Sequence, residues 1–170
     1  MRIVQLTCPS CGASVDENQK KCSSCGVGLL FELDDAGTSL PQIRTLIEQC
    51  SYDEAINKCN AFISRGISSA DVYYYLCIAL LEGKRPFLHS RNTIDKCINA
   101  LENALKLDDK GVINLLRAFI EYDYFERKYL NRNPDYSFYL KKAQERLVND
   151  DELAELETLL NNKINIWRPS

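Results

Sequence analysis

Four cysteines within the first 25 residues constrain this chain more than any other feature. They form two C-x-x-C pairs, Cys8-Pro9-Ser10-Cys11 and Cys22-Ser23-Ser24-Cys25, and each pair is followed by glycine (Gly12 and Gly26). Ten residues separate Cys11 from Cys22. A C-x-x-C turn aims two thiolates at one point, and two such turns supply the four soft ligands of a tetrahedral zinc site, with Zn–S distances of about 2.3 Å. Glycine after each second cysteine suits the turn leaving the metal, because it tolerates positive φ. The spacing therefore predicts one structural Zn²⁺ held by Cys8, Cys11, Cys22 and Cys25. Four protein ligands leave no open position for a catalytic water.

Two other uses of paired cysteines fit less well. The chain has 8 Cys in 170 residues, but Met1–Thr7 is too short for the apolar core of a secretory signal, so a cytoplasmic location is expected and a disulfide framework is not. A redox dithiol uses one C-x-x-C beside a βαβ unit, not two in tandem. Residues 3–33 resemble the short zinc ribbons built from two Cys-Pro-x-Cys-Gly-type knuckles, with Ser23 at the place of the second proline. The resemblance implies strands at Ile3–Thr7 and Gly28–Leu33. It does not imply one function, since such ribbons serve nucleic-acid binding and assembly alike.

Charge argues against nucleic acid. Residues 1–28 carry Arg2, Lys20 and Lys21 against Asp16 and Glu17, and four thiolates with Zn²⁺ bring this segment to −1. The rest of the chain holds 18 Lys and Arg against 22 Asp and Glu. Phosphate binding depends on a basic footprint.

After a polar linker at 34–39, helix signals recur through residues 40–170. Ser39 with Gln42 and Ser51 with Glu54 read as capping boxes, and Pro41 sits in the first turn. Gly66 closes the second helix. Ser68 caps a third that runs to Leu81 and stops near Gly83. Asn92 opens a fourth with Ile94, Cys97, Ile98, Leu101, Ala104 and Leu105 on one face. Asp109 opens a long fifth from Val112 to about Leu130, Asn133-Pro134 a sixth, and Asn149 with Glu152 a seventh ending near Ile166. No strand pattern follows Leu33, and no run approaches the roughly 18 apolar residues of a membrane span.

Tyr52-x-x-Ala55-x-x-x-Cys59-x-x-Phe62 and Cys97-x-x-x-Leu101-x-x-Ala104-Leu105 resemble the second-helix pattern of tetratricopeptide repeats. Tyr73-x-x-Leu76-Cys77-x-x-Leu80 is similar to the first-helix pattern. The resemblance implies a mainly α fold of stacked antiparallel hairpins: about three over residues 40–148, with 150–166 as a capping helix, behind a small N-terminal β ribbon. It departs from the family in lacking the closing prolines, in an extra loop at Glu82–Arg91, and in an overlong fifth helix.

Repeat arrays present extended surfaces to protein partners. Tyr73, Tyr74 and Tyr75 are consecutive, and tyrosines and phenylalanines recur from Tyr122 to Tyr139, more rings than one core face accommodates. The expected partner surface is the groove lined by the first helices, near Tyr73, Tyr74, Tyr122 and Tyr129, with Arg85 and Phe87 of the basic loop at its rim. Cys59, Cys77 and Cys97 fall in small apolar slots and read as core, and Cys50 has no partner at ligand spacing. His89 has no nucleophile or carboxylate pattern beside it. The acids at 150–157 complement a helix N-terminus. No Gly-rich phosphate loop or nucleophile–base constellation is visible. The function expected is therefore non-enzymatic: a zinc-binding adaptor or scaffold whose helical array takes a peptide or protein surface. The alternative is a nucleic-acid-associated or transcription-accessory factor acting through the ribbon.

Overall fold

The computed structural model describes residues 6–7, 13–15, 24–25, 36–67, 69–130 and 132–166. The chain divides into two units, Met1–Asp35 and Ala36–Ser170.

In the first unit, β1 (Leu6–Thr7) pairs antiparallel with β2 (Ser14–Val15), Leu6 opposite Val15 and Thr7 opposite Ser14. β1 lies within the strand expected at Ile3–Thr7. β2 carries no sequence signal, because two residues are too few for an alternating pattern. The expected strand Gly28–Leu33 falls outside the described residues.

The second unit is mainly α-helical. Its described residues form α1 (Ala36–Glu48), α2 (Tyr52–Ser64), α3 (Ala70–Leu80), α4 (Arg91–Leu107), α5 (Gly111–Ile120), α6 (Tyr136–Glu145) and α7 (Asp150–Leu160). α1 begins at Ala36, within the stretch read as linker, so Pro41 stands inside the helix and not in its first turn. Ser51 precedes α2, but its side chain makes no capping hydrogen bond, so that capping box does not form. The other caps shift by a residue or two. Ser69 accepts from Val72 N (3.3 Å) to open α3, and Ser90 accepts from Thr93 N (3.2 Å) to open α4 in place of Asn92. Asp135 opens α6 by accepting from Ser137 N (3.0 Å). Asn149 and Glu152 form the expected reciprocal capping box of α7. Such caps contribute about 1 kcal/mol each.

Two helices end early. α5 is regular only to Ile120. The rod continues as a π-helical turn over Glu121–Phe125 and a 3₁₀ turn over Glu126–Lys128, then stops at Tyr129 in the left-handed region (φ 56°). α7 ends at Leu160, where Asn161 turns left-handed (φ 49°). The Asn162 amide then donates to Leu160 O (2.7 Å) and Gly83 O (3.3 Å). The apolar residues Ile164 and Ile166 carry the helical period past that stop, which is why the sequence reads as a longer helix.

Consecutive helices pack on each other from α1 through α6, with the tightest pairings α3 on α4 and α5 on α6. α1 also meets α3, and α7 returns to pack against α1 and α5. One continuous core results, with Ile43 and Ile47 from α1, Ile78 from α3, Ile94 and Leu101 from α4, Leu115 and Ile120 from α5, and Leu156 and Leu160 from α7. Cys59, Cys77 and Cys97 are buried within it as reduced thiols. Burial pushes the Cys59 thiol up to about 12, so it behaves as a small hydrophobe. No helix among the described residues is long and apolar enough to cross a membrane.

Candidate partner surface and candidate metal ligands

Cys8, Cys11 and Cys22 lie outside the described residues. Cys25 is exposed in a turn at 24–25. Four cysteines are the donor set that structural zinc takes, and in sequence they stand as two C-x-x-C pairs.

The six candidate partner residues divide among three places. Tyr73 is half-buried on α3 and lines a depression with Ile56 and Asn60 of α2 and Lys96, Asn99 and Asn103 of α4. Tyr74 points the other way and is buried. Burial holds its hydroxyl well above the ordinary tyrosine range, with Tyr75 and then Glu155 of α7 adding to the effect. Arg85, Phe87 and Tyr122 gather where the 82–90 connection meets the π-helical turn, and Tyr129 stands exposed where the α5 rod stops. Tyr122 packs edge-to-face on Tyr136 of α6 (5.1 Å).

The 82–90 connection is held in place. Gly83 takes a positive φ (65°) with Tyr52 Oη 2.5 Å from where a Cβ would sit, which suits glycine. His89 Nε2 lies 2.9 Å from Leu81 O. The main anchor is Asp123, whose carboxylate is wholly buried. It pairs with Arg85, accepts from Phe87 N (2.9 Å), and accepts from Arg127 Nη1 (2.7 Å). A buried carboxylate needs this much compensation. The π-helical turn sets Asp123 toward the connection while Tyr124 and Phe125 stay buried.

A second buried pair sits one turn earlier. Arg117 Nη2 lies 2.8 Å from Glu121 Oε1, a close ion pair without hydrogen-bond alignment. The guanidinium also donates to Ile98 O (3.3 Å) and stacks on Tyr139 (5.0 Å). Burial raises the Glu121 carboxyl above its ordinary range; Arg117, Arg132 and Arg91 oppose that rise.

Cations cover the rings around these acids. Arg91 and Arg132 lie over Phe125 (5.0 and 4.6 Å). Arg127 and Lys128 lie over Phe87 (4.8 Å each), and Lys128 lies 3.8 Å over Tyr124. Each such contact contributes about 0.5–1 kcal/mol at a half-exposed site and fixes the direction of the cation.

Sequence reasoning missed Glu121, Asp123, Arg127, Lys128 and Arg132. A usable signal was present: two acids, Glu121 and Asp123, continue an apolar helix directly into Arg127-Lys128, with rings between them. Acids on a face otherwise committed to the core require cations, and the basic residues nearby supply them. Comparison with family models, with curated proteins and with solved structures yields no match for this chain.

Proposed function

We propose that this chain is a zinc-stabilised interaction protein of the cytoplasm, a ribbon followed by a divergent tetratricopeptide-like array, which binds a protein partner and does no chemistry on it. The succession of packed neighbours from α1 to α6 supports the repeat-like reading. The two C-x-x-C pairs and their four-cysteine donor set support the metal. Cys59, Cys77 and Cys97 pack in the helical core as small apolar side chains.

One observation carries the interaction reading. The 82–90 connection is a surface loop between helices, yet it is pinned through Asp123, Arg85 and His89 so that it presents Phe87 and Leu88 outward. An ordered loop spends little entropy on binding, which favours recognition. The buried acids nearby lie against arginines, Asp123 with Arg85 and Arg127 and Glu121 with Arg117.

Crosslinking of the tagged chain in source lysate, with mass spectrometry of the linked residues, tests the reading. Crosslinks concentrated on residues 84–91 and 122–132 are expected. Crosslinks confined to residues 1–33, with salt-dependent retention on DNA or RNA, would instead make the ribbon the binding element and overturn the assignment.

A further inference from the structure

We infer that the surface where the 82–91 and 121–132 segments meet is a docking site for an acidic, apolar-studded segment of a partner protein. The inference rests on the interaction reading above and adds the chemistry of the ligand.

Charge is the first argument. These two segments together carry six Lys and Arg against four Asp and Glu, a net of +2 in a chain of net −3. Two of the four acids, Glu121 and Asp123, are buried and paired with arginines. Arg85, Arg91, Arg127 and Arg132 keep 30–56% of their side chains exposed. Arg91 is paired with Asp95 (2.9 Å), Arg85 and Arg127 share one carboxylate, and Arg132 reaches Glu121 only at 3.7 Å, behind Arg117. Among the described residues, Lys128 has no carboxylate within ion-pair range and rests on the rings of Tyr124 and Phe87. The surface therefore holds more positive charge than the fold neutralises.

Orientation is the second. A guanidinium stacked on a ring has its faces occupied and its N–H edges directed outward, the geometry that meets a carboxylate. Arg91 and Arg132 lie over the Phe125 ring (5.0 and 4.6 Å), which restrains both guanidiniums before any ligand arrives, and Arg91 Nε donates to Asp95 (2.9 Å) while Arg132 has only the 3.7 Å contact with Glu121.

Apolar exposure is the third. The described residues include seven exposed large hydrophobics, and four stand on these two segments: Phe87 (37%), Leu88 (70%), Tyr129 (93%) and Leu130 (41%). Aliphatic side chains between cations match a ligand that alternates acidic with apolar residues. A phosphate backbone has nothing to place against Leu88 or Leu130. The chain's overall negative charge also gives nucleic acid no long-range attraction.

The test uses the full, zinc-loaded chain and a short fluorescein-labelled peptide in which Asp and Glu alternate with Leu and Phe, read by anisotropy. Binding that weakens with salt is expected. Lys128→Glu should weaken it at least about tenfold, because a like charge then faces the ligand. Leu88→Ser should weaken it less but measurably. Both positions are at the surface and outside the core, and unchanged ellipticity and urea midpoints verify that the variants fold. No binding of the acidic peptide, equal binding by both variants, or tighter binding of the peptide with Lys in place of its acids would overturn the inference. So would tighter binding of a single-stranded RNA of similar length. A chain that ignores the acidic peptide yet still crosslinks to a partner through residues 84–91 loses this inference and keeps the interaction reading. A chain that does neither loses both.

Discussion

Asp123→Ala should detach the 82–90 connection from the helical body. Three donors converge on that carboxylate: the Arg85 guanidinium, Phe87 N at 2.9 Å and Arg127 Nη1 at 2.7 Å. Their contributions are unequal. The Phe87 amide is half-buried and loses its acceptor, at a cost of about 1–3 kcal/mol. Arg85 and Arg127 are 44% and 39% exposed, so water replaces much of what they lose, and each counts for about 0.5–1 kcal/mol. Against these stands the desolvation of Asp123 itself, which the variant no longer suffers. The balance is a loss of about 2 kcal/mol. With a urea slope of about 1–3 kcal/mol per molar, the unfolding midpoint should fall by about 1 M. Ellipticity follows the helical unit, and hydrogen exchange at the Phe87 amide reads the local event. Asp123→Asn keeps an acceptor for Phe87 N, so it should lose about half as much. An alanine variant with an unchanged midpoint and a still-protected Phe87 amide would refute the reasoning, as would an asparagine variant worse than alanine.

Other perturbations have equally definite outcomes. Elemental analysis should find one zinc per chain, and chelation or Cys11→Ser should release it while leaving most far-UV helicity, because ligands and helices occupy different segments. Gly111→Ala should destabilise the start of α5 by about 1–3 kcal/mol in urea titration, since its Cβ would lie 2.7 Å from Val148 Cγ2 and 3.3 Å from Arg146 O. Asp109 accepts from Arg146 and Asn114 (2.7 Å each), and these bonds hold its carboxyl below the ordinary range. Its stabilisation is therefore present above the ordinary aspartate range and is lost as pH falls through the lowered value. Asp109→Asn should be less stable than the parent chain at neutral pH and converge with it in acid. Glu121 has the opposite sign: its raised carboxyl contributes fully below the ordinary glutamate range and loses that contribution as pH rises through the raised value, so Glu121→Gln should flatten that mildly acidic segment of the stability profile.

Periodicity made the helices legible because burial imposes it. Ile94, Cys97, Ile98, Leu101 and Ala104 fall on one face in sequence and are buried together in α4. The ends were less legible because several residues near each start can serve as a cap. Ser68 and Ser69 are equivalent by composition, and only the backbone decides that Ser69 accepts from Val72 N. The stop of α7 was written in Asn161-Asn162, residues that tolerate a left-handed turn. The apolar spacing of Ile164 and Ile166 masked it. The widened turn at Glu121–Phe125 has no local signature, because it arises where buried acids must reach Arg85 and Phe87, 36 to 38 residues earlier. Ring density was visible in sequence, but its use was not. Tyr124 and Phe125 are seats for cations, Arg91 from one segment and Lys128 and Arg132 from another.

The return of α7 bears on where a partner can bind. Its Leu156, Leu159 and Leu160, together with Ile164 beyond its end, are buried, and Arg44 of α1 pairs with Glu155 at 3.0 Å. Tyr74, counted in sequence as a groove residue, is buried and feels the charge of Glu155 and Glu152. A segment that buries four aliphatic side chains gains on the order of 6–12 kcal/mol from their transfer, before the entropy of ordering it is set against that. A peptide docking by a few anchors would not displace it. The first-helix face near Tyr74 thus has its occupant within the chain, and the partner surface proposed above lies elsewhere on the helical unit. Among the described residues Lys128 has no carboxylate within ion-pair range and Leu88 is 70% exposed, so charge and apolar surface both stand unmatched there. A partner that supplies acid and aliphatic groups together satisfies both, whereas one that supplies either alone leaves the other in water.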